Sequence, residues 1–535
     1  MRHPMLRAAG LLLLLALAVP AFAASGGLTL EQIAKTRTVS QASISPDGRQ
    51  VAYVLSVPRE IGTEDDGPAW AELHLVSRDG SSRGFITGKV NVGGVEWLPD
   101  GRSLAYLAKR PGDETRTLYR IPVDGGESVA IATLKSDISA FSLSPDGRQV
   151  ALLASEPDSD ALKALKKKGF SQKVYEEDWR PVQLWIAEVG DGKGEPRRVA
   201  VEGSVQSVRW SPGGDRLGLM VAPRQLTDDT LVFTRVRIVS PEGKVLGTVD
   251  NPGKVGGLSW SPDGAHLAFI SAEDKHDAQQ GRLFVVGRDG GAWRDLLPGL
   301  AGHVVDVEWR NTGTVQFLSH EGVQARLGEV GVDGGAPRTL LAAEGPVWGG
   351  FDRTGGGDIA LTGSTPSHPS EVFLLAAGET APRKLTDSNP WLKDVRLATQ
   401  EVIRYLARDG LEIEGLLVHP LERRGNARVP LIVVVHGGPE SHYPNAWLTA
   451  YSQPLHHAAA QGYAVFLPNY RSSTGRGVEF SKKGFGRPGM EEFDDVVDGV
   501  DHLVGIGLVD KARVGITGGS YGGYASAWGA TYYSE

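Results

Sequence analysis

The residues from Gly518 to Tyr524 have the types and spacing of a nucleophile for acyl transfer. They read Gly-Gly-Ser-Tyr-Gly-Gly-Tyr, with Ser520 at the centre of a G-x-S-x-G motif. A short strand is predicted before the motif, over 513–517, and a helix from Ala525. This strand–turn–helix context is that of a nucleophile elbow, in which a strained turn lifts the serine hydroxyl clear of the sheet. Crowding at this turn is expected to require glycine at four positions: Gly518, Gly519, Gly522 and Gly523.

Two other interpretations of the motif fit less well. A Gly-rich turn with a chance serine explains the residues but not their context. A dinucleotide site needs G-x-G-x-x-G and an acidic residue about 20 residues further on, whereas the chain ends 12 residues after Gly523. The motif therefore predicts covalent catalysis by Ser520, with a histidine as general base and an aspartate that orients it.

The elements before the motif predict an α/β sheet that begins at about residue 395. An apolar run over 430–435 is typical of a strand buried on both faces, and it ends in His436-Gly437-Gly438-Pro439. An amphipathic helix is predicted over 490–504. Its acidic residues are interpreted as a solvated face, without metal-site spacing. They are Glu491, Glu492, Asp495 and Asp498.

A short repeat occupies residues 40 to 390. It contains Ser-Pro-Asp-Gly or a worn copy of it, as at 45–48, 144–147 and 261–264. Proline presets the first turn position, aspartate bonds its own backbone and glycine adopts the left-handed conformation, so the unit predicts a hairpin turn. A second turn marker alternates with the first, and each occurs seven times. Two hairpins per repeat predict a β-propeller of seven blades. With the α/β sheet and the elbow that come after it, the predicted fold class is a β-propeller followed by an incomplete α/β-hydrolase domain.

The longest gap between repeats, residues 156–181, predicts an insertion with a basic helix over 160–168. Glu176 and Glu177 at its end are candidate contacts for the free amino terminus of a substrate. A solvated acidic turn is the alternative, because charged side chains are mostly exposed.

The first 23 residues predict a signal peptide. Arg2 and Arg7 precede an apolar run over 8–19, and Ala21-Phe22-Ala23 offers a cleavage site. The run is too short to span a bilayer comfortably, which favours cleavage over an uncleaved anchor. We therefore expect an exported protein, periplasmic or extracellular, with no membrane span after cleavage.

Composition excludes several function classes. The 535 residues include no cysteine, which rules out a thiol nucleophile and a thiolate metal site. The formal charge is −8, so electrostatics give no reason to expect a nucleic-acid partner. The sequence predicts no cofactor and no metal.

A propeller followed by this hydrolase half resembles the prolyl oligopeptidase family, particularly its acylaminoacyl-peptidase and bacterial dipeptidyl-peptidase branches. The motifs that carry the resemblance are His436-Gly437-Gly438-Pro439, Asn469-Tyr470-Arg471 with Ser473-Thr474-Gly475, and Gly518 to Gly523. The resemblance implies that Ser520 is the nucleophile and that the backbone amides of Tyr521 and Gly437 form the oxyanion hole. It makes His436 a motif residue rather than the general base. The family usually has glycine after the arginine, where this chain has Ser472.

The resemblance implies a serine peptidase that cleaves short peptides through an acyl-enzyme, with the propeller limiting substrate size. The predicted domains are the signal peptide over 1–23, the propeller with a short lead-in over 24–394, and the first part of the hydrolase domain over 395–535. The hydrolase fold places its Asp and His after the Ser, and residues 521–535 contain neither. We therefore expect a C-terminally truncated chain that is inactive as given. Two alternatives stay open: an exported propeller that binds a partner and retains a vestigial hydrolase half, or an esterase with the same elbow.

Overall fold

The computed structural model describes residues 26–190, 194–277 and 279–533. The predicted signal peptide over 1–23 lies outside the described residues. Within these ranges, no helix has the length and apolar character needed to cross a bilayer.

Seven four-stranded antiparallel sheets form a β-propeller, as the turn repeats predict, and each blade uses four consecutive strands. The strands of the first three blades are β1 Thr38–Ile44, β2 Gln50–Val57, β3 Trp70–Ser77, β4 Ser82–Ile86, β5 Gly93–Trp97, β6 Ser103–Ala108, β7 Thr117–Pro122, β8 Val129–Ala132, β9 Ile138–Leu143, β10 Gln149–Ser155, β11 Val182–Glu188 and β12 Arg197–Val199. Those of the other four blades are β13 Ser204–Trp210, β14 Leu217–Ala222, β15 Arg235–Val239, β16 Val245–Val249, β17 Val255–Trp260, β18 His266–Ser271, β19 Arg282–Gly287, β20 Trp293–Asp295, β21 His303–Asn311, β22 Thr314–Glu321, β23 Gln324–Gly331, β24 Arg338–Leu341, β25 Val347–Arg353, β26 Ile359–Thr365, β27 His368–Leu375 and β28 Arg383–Lys384.

The repeated Ser-Pro-Asp-Gly unit forms the turn between the first two strands of a blade. In blade one, Ser45 Oγ donates to Asp47 Oδ1 at 2.6 Å, and Gly48 has a φ of 71°. A left-handed φ is strained for residues with a Cβ, which explains the glycine. The aromatic residue before the turn links neighbouring blades, since the Trp97 indole N–H of blade two donates to Ser43 O of blade one at 2.9 Å.

The helices of the propeller half are short. They are α1 Leu30–Ala34 before blade one, α2 Asp160–Lys167 in the blade-three insertion, and α3 Thr227–Leu231 in blade four. The lead-in that contains α1 buries Leu28 and Ile33 against Leu392, which lies in a 3₁₀ segment over Pro390–Asp394. This lead-in is thereby held at the junction between the two domains.

Partly buried acidic residues lie on the inner strands of the propeller. Glu308 on β21 interacts electrostatically with Asp306 on the same strand, Asp352 on β25 and Arg209 on β13. Burial, reinforced by the two neighbouring carboxylates, raises the pKa of Glu308 to about 8. An unfolded glutamate titrates near pH ~4.3. Between these values the folded state retains a proton that the unfolded state releases, so the free energy of unfolding falls as the pH rises.

We expect Glu308→Gln to remove this loss, because glutamine keeps the shape and cannot ionise. The variant should melt close to wild type at pH 4.5 and above it at pH 9, measured by calorimetry. Glu401→Gln, at an exposed position, is the control. Equal melting temperatures of Glu308→Gln and wild type at pH 9 would show that the Glu308 charge carries no cost.

The second domain is a five-stranded sheet in the order β29-β30-β32-β31-β33. Its strands are β29 Gln400–Leu406, β30 Glu412–Val418, β31 Val429–Val435, β32 Ala464–Asn469 and β33 Val509–Gly518. Its helices are α4 Leu455–Ala460, α5 Val478–Ser481, α6 Glu491–Gly505 and α7 Tyr521–Thr531, with a 3₁₀ segment over Lys482–Gly484. Strand β31 is parallel to both β32 and β33. The carboxyl ends of these three strands therefore meet at one edge of the sheet, where sites in such folds lie.

The predicted solvated face of α6 is wrong for two of its carboxylates. Glu492 is 3% exposed and Asp495 is 0% exposed. Glu492 accepts the amide of Gly489 at 2.8 Å, and Asp495 pairs with Arg471 from the loop after β32. The helix packs on more than one side, and an amphipathic pattern cannot show that a cation from elsewhere in the chain covers its polar side.

Candidate active site

Ser520 lies between β33 and α7, at the edge where the parallel strands end. Its backbone has a φ of 56° and a ψ of −121°, a conformation that costs about 1–3 kcal/mol for a residue with a side chain. The residue is exposed. Helix α7 begins at Tyr521, four residues before the predicted start at Ala525, because the amides of Gly523 and Tyr524 already donate to Ser520 O at 2.9 and 3.1 Å.

The four glycines around Ser520 differ in how much room they have. A methyl group on Gly522 would lie 2.0 Å from Val435 O, and one on Gly518 would lie 2.4 Å from the same oxygen. A methyl group on Gly519 would meet no atom within 4 Å, and one on Gly523 would lie 3.5 Å from Gly518 O. Crowding against the end of β31 therefore requires Gly518 and Gly522. The prediction of a steric reason for Gly519 and Gly523 is wrong.

We expect Gly522→Ala to lower the free energy of unfolding by at least about 3 kcal/mol, because a backbone oxygen cannot move aside cheaply. Helix propensity alone would favour alanine there by about 1 kcal/mol. A decrease in the free energy of unfolding would therefore identify the clash. Gly519→Ala is the matched control and should stay within about 0.5 kcal/mol of wild type. Urea denaturation measures both, and equal stabilities of the two variants would contradict the crowded elbow.

Gly437 lies beside Ser520. A methyl group on Gly437 would lie 3.2 Å from Ser520 Cβ and 3.7 Å from Ser520 Oγ. Gly437 follows the end of β31, and Tyr521 is the first residue of α7, where backbone amides have no partner within the helix. The structure thus brings together the three residues that the sequence predicts for acyl transfer: a strained serine and two residues whose amides are candidate oxyanion donors.

His436 is a buried, uncharged support for this loop. Its Nε2 pairs with the Ser473 hydroxyl at 2.8 Å, and its ring stacks on Tyr470 with centroids 4.4 Å apart. Burial lowers the pKa of His436 to about 4. The imidazole therefore stays neutral at pH 7 and joins the loop after β32 to the loop that carries Gly437.

Arg471 anchors the loop after β32 to helix α6. Its Nη2 donates to Asp495 Oδ1 at 2.6 Å and its Nε to Asp495 Oδ2 at 2.9 Å. The Arg471 backbone amide also donates to Asp495 Oδ2, at 2.8 Å. Burial raises the pKa of Asp495 and the arginine opposes that rise. Arg471 is part of a sequence motif, but the acidic pattern of α6 does not indicate Asp495 as its partner.

Ser472, where the family usually has glycine, has a φ of 80°. Its hydroxyl is buried without a hydrogen-bond partner among the described residues. Both features cost free energy, so we expect Ser472→Gly to raise the free energy of unfolding by about 1 kcal/mol after the greater freedom of glycine in the unfolded chain is subtracted. Urea denaturation measures this. A destabilised variant would mean that Ser472 makes a favourable interaction.

The other candidates of the sequence lie apart from this site. Glu176 and Glu177 are exposed in the blade-three insertion, and their role in binding a substrate stays a prediction. Within the described part of the chain, no side chain hydrogen-bonds Ser520, and no group of three or more His, Asp or Glu residues is arranged to hold a metal ion.

Comparison with known proteins places this site in a family. Residues 449–535, which include Ser520, match the sequence profile of the prolyl oligopeptidase family. The uncharacterized peptidase YuxL of Bacillus subtilis (strain 168) is 26% identical and aligns with 94% of this chain and 80% of its own length. Residues 449–535 therefore form a segment of the prolyl oligopeptidase family.

A second relative and a solved structure are also similar to this chain. Dipeptidyl aminopeptidase BIII of Pseudoxanthomonas mexicana is 25% identical and aligns with 99% of this chain and 75% of its own length. The solved structure of the acylaminoacyl peptidase of Pyrococcus horikoshii superposes with a TM-score of 0.75 at 20% identity, over 94% of this chain and 76% of that chain. This chain therefore shares its two-domain fold with that solved structure.

Proposed function

We propose that this protein is a serine peptidase that hydrolyses short peptides through an acyl-enzyme on Ser520. The observation that carries the proposal is the strained, exposed Ser520 at the end of β33 with Gly437 beside it. Ser520 Oγ attacks the scissile carbonyl carbon, and the amides of Tyr521 and Gly437 donate to the oxyanion of the tetrahedral intermediate. Collapse expels the amine, and water then releases the acyl group from Ser520.

The proton of Ser520 must pass to a general base. In this fold the Asp and His follow the Ser in the chain, and residues 521–535 contain neither. His436 is not this general base, because its pKa is low and its Nε2 is paired with the Ser473 hydroxyl. The general base is therefore left unassigned in this proposal.

The propeller is proposed to restrict substrates by size. Support comes from its contacts with the loops that carry the site: Lys254 pairs with Glu440, three residues after Gly437, and the Gly322 amide donates to Gly475 O at 2.7 Å. We expect short peptides to be cleaved and folded proteins to resist. Export, proposed from the signal-peptide pattern over 1–23, is consistent with a degradative role outside the cytoplasm.

The test compares peptide amides with acyl esters of the same acyl group, using the native gene product. A peptidase should hydrolyse peptides of about two to ten residues and leave intact a folded protein that contains the same peptide sequences. Turnover of esters alone would favour the esterase alternative. Absence of turnover for both, in a folded protein, would favour the binding-scaffold alternative.

A further inference from the structure

A cleft of about 240 Å³ lies between the propeller and the hydrolase domain. Its polar lining comes from Gln279, His303 and His320 on the propeller side and from Glu440, His442 and Thr474 on the hydrolase side. Glu440 is three residues from Gly437, so their Cα atoms are at most about 11 Å apart. An extended substrate whose scissile carbonyl lies at Ser520 reaches that far within two or three residues.

Two polar atoms in the lining of this cleft lack a partner among the described residues: Gln279 Nε2 and His442 Nε2. The other polar end of each side chain is held, since Gln279 Oε1 pairs with His303 Nδ1 at 3.0 Å and His442 Nδ1 with Thr474 Oγ1 at 2.7 Å. Gln279 is 1% exposed. A buried amide N–H without a partner is unfavourable, so this group is set to bind a hydrogen-bond acceptor that enters the cleft.

The cleft offers hydrogen bonds without net charge. Burial lowers the pKa of His303 to about 4 and that of His442 to about 2. Both imidazoles are therefore neutral at pH 7, and the Glu440 carboxylate is neutralised by its ion pair with Lys254. Such a surface disfavours both aliphatic and charged groups, because each would leave a polar atom or a charge without compensation.

We infer that this cleft is a specificity pocket for an uncharged polar side chain, such as that of asparagine or glutamine, two or three residues from the scissile bond. The inference rests on the proposed peptidase function. The Gln279 amide N–H donates to the carbonyl oxygen of the substrate side chain, and His442 Nε2 pairs with its amide. A volume of about 240 Å³ holds such a side chain together with a few waters of about 30 Å³ each.

The experiment measures peptide binding to the native gene product carrying Ser520→Ala, so that no turnover occurs. Fluorescent peptides carry Gln, Leu or Glu at each position from three before to three after the scissile bond. We expect one position at which Gln binds about tenfold more tightly than Leu or Glu. The position with the preference tells whether the acyl side or the leaving side of the peptide enters the cleft.

Gln279→Leu should abolish this tenfold preference, and Gln149→Leu, a propeller glutamine on β10 outside the cleft, should keep it. If Gln279→Leu melts below the assay temperature, Gln279→Glu decides the matter, because it keeps the acceptor for His303 and replaces the N–H donor. Peptides that bind with unchanged preference in these variants would overturn the inference and leave the peptidase proposal intact. Failure of every peptide to bind a folded Ser520→Ala protein would overturn both.

Discussion

Ser520→Ala in the native gene product should lower kcat for peptide hydrolysis at least about 10⁴-fold and leave KM nearly unchanged. The hydroxyl forms the covalent bond to the substrate, whereas the binding surfaces around it are unaltered by the loss of one oxygen. Residual turnover is expected from the oxyanion donors alone. Steady-state kinetics with a peptide substrate measures both constants.

Ser526→Ala is the matched control for this loss. Ser526 lies on α7, the helix that follows Ser520, and its hydroxyl donates to Gly522 O at 2.7 Å. Its kcat should stay within a few-fold of wild type. Equal kcat values for Ser520→Ala and wild type would show that Ser520 is not the nucleophile.

Asp495→Ala should lower the free energy of unfolding by about 3–5 kcal/mol, because it removes the buried carboxylate that pairs with the buried Arg471 charge. Arg471 is 7% exposed and Asp495 is 0% exposed, so water cannot replace the lost carboxylate. Pairing Arg471→Met with Asp495→Leu should cost less than the sum of the single changes, since neither charge then remains. Urea denaturation of the set gives the coupling free energy.

Asp409 supplies a matched control on the same arginine. Its carboxylate accepts from Arg471 Nη1 at 2.8 Å, but its side chain is 46% exposed. Asp409→Ala should therefore cost no more than about 1 kcal/mol. If Asp409→Ala and Asp495→Ala had the same effect, burial would not be the source of the cost.

Much of the fold could be predicted from the sequence, because its turns have local causes. The Ser-Pro-Asp-Gly unit closes its own hairpin through Ser45, Asp47 and Gly48, so seven copies indicate seven blades without knowledge of distant contacts. The elbow is local in the same sense, since strand, glycines and helix follow one another within about twenty residues. These are the features that the structure reproduces.

Features that depend on distant partners could not be predicted. The acidic face of α6 has the pattern of a solvated surface, yet Arg471, 24 residues before Asp495, covers part of it. The requirement for Gly518 and Gly522 comes from Val435 O on the neighbouring strand, which sequence spacing does not show. Gln279 and His442 line the cleft from opposite domains, so no single segment of the sequence indicates the cleft.

The most direct test is the site of modification by a fluorophosphonate, a reagent that forms a stable bond with an activated serine. We predict a single adduct on the peptide that contains Ser520 when the native gene product is treated, and no adduct after Ser520→Ala. A folded protein with no adduct, or with the adduct on another residue, would contradict the assignment of Ser520 as the nucleophile.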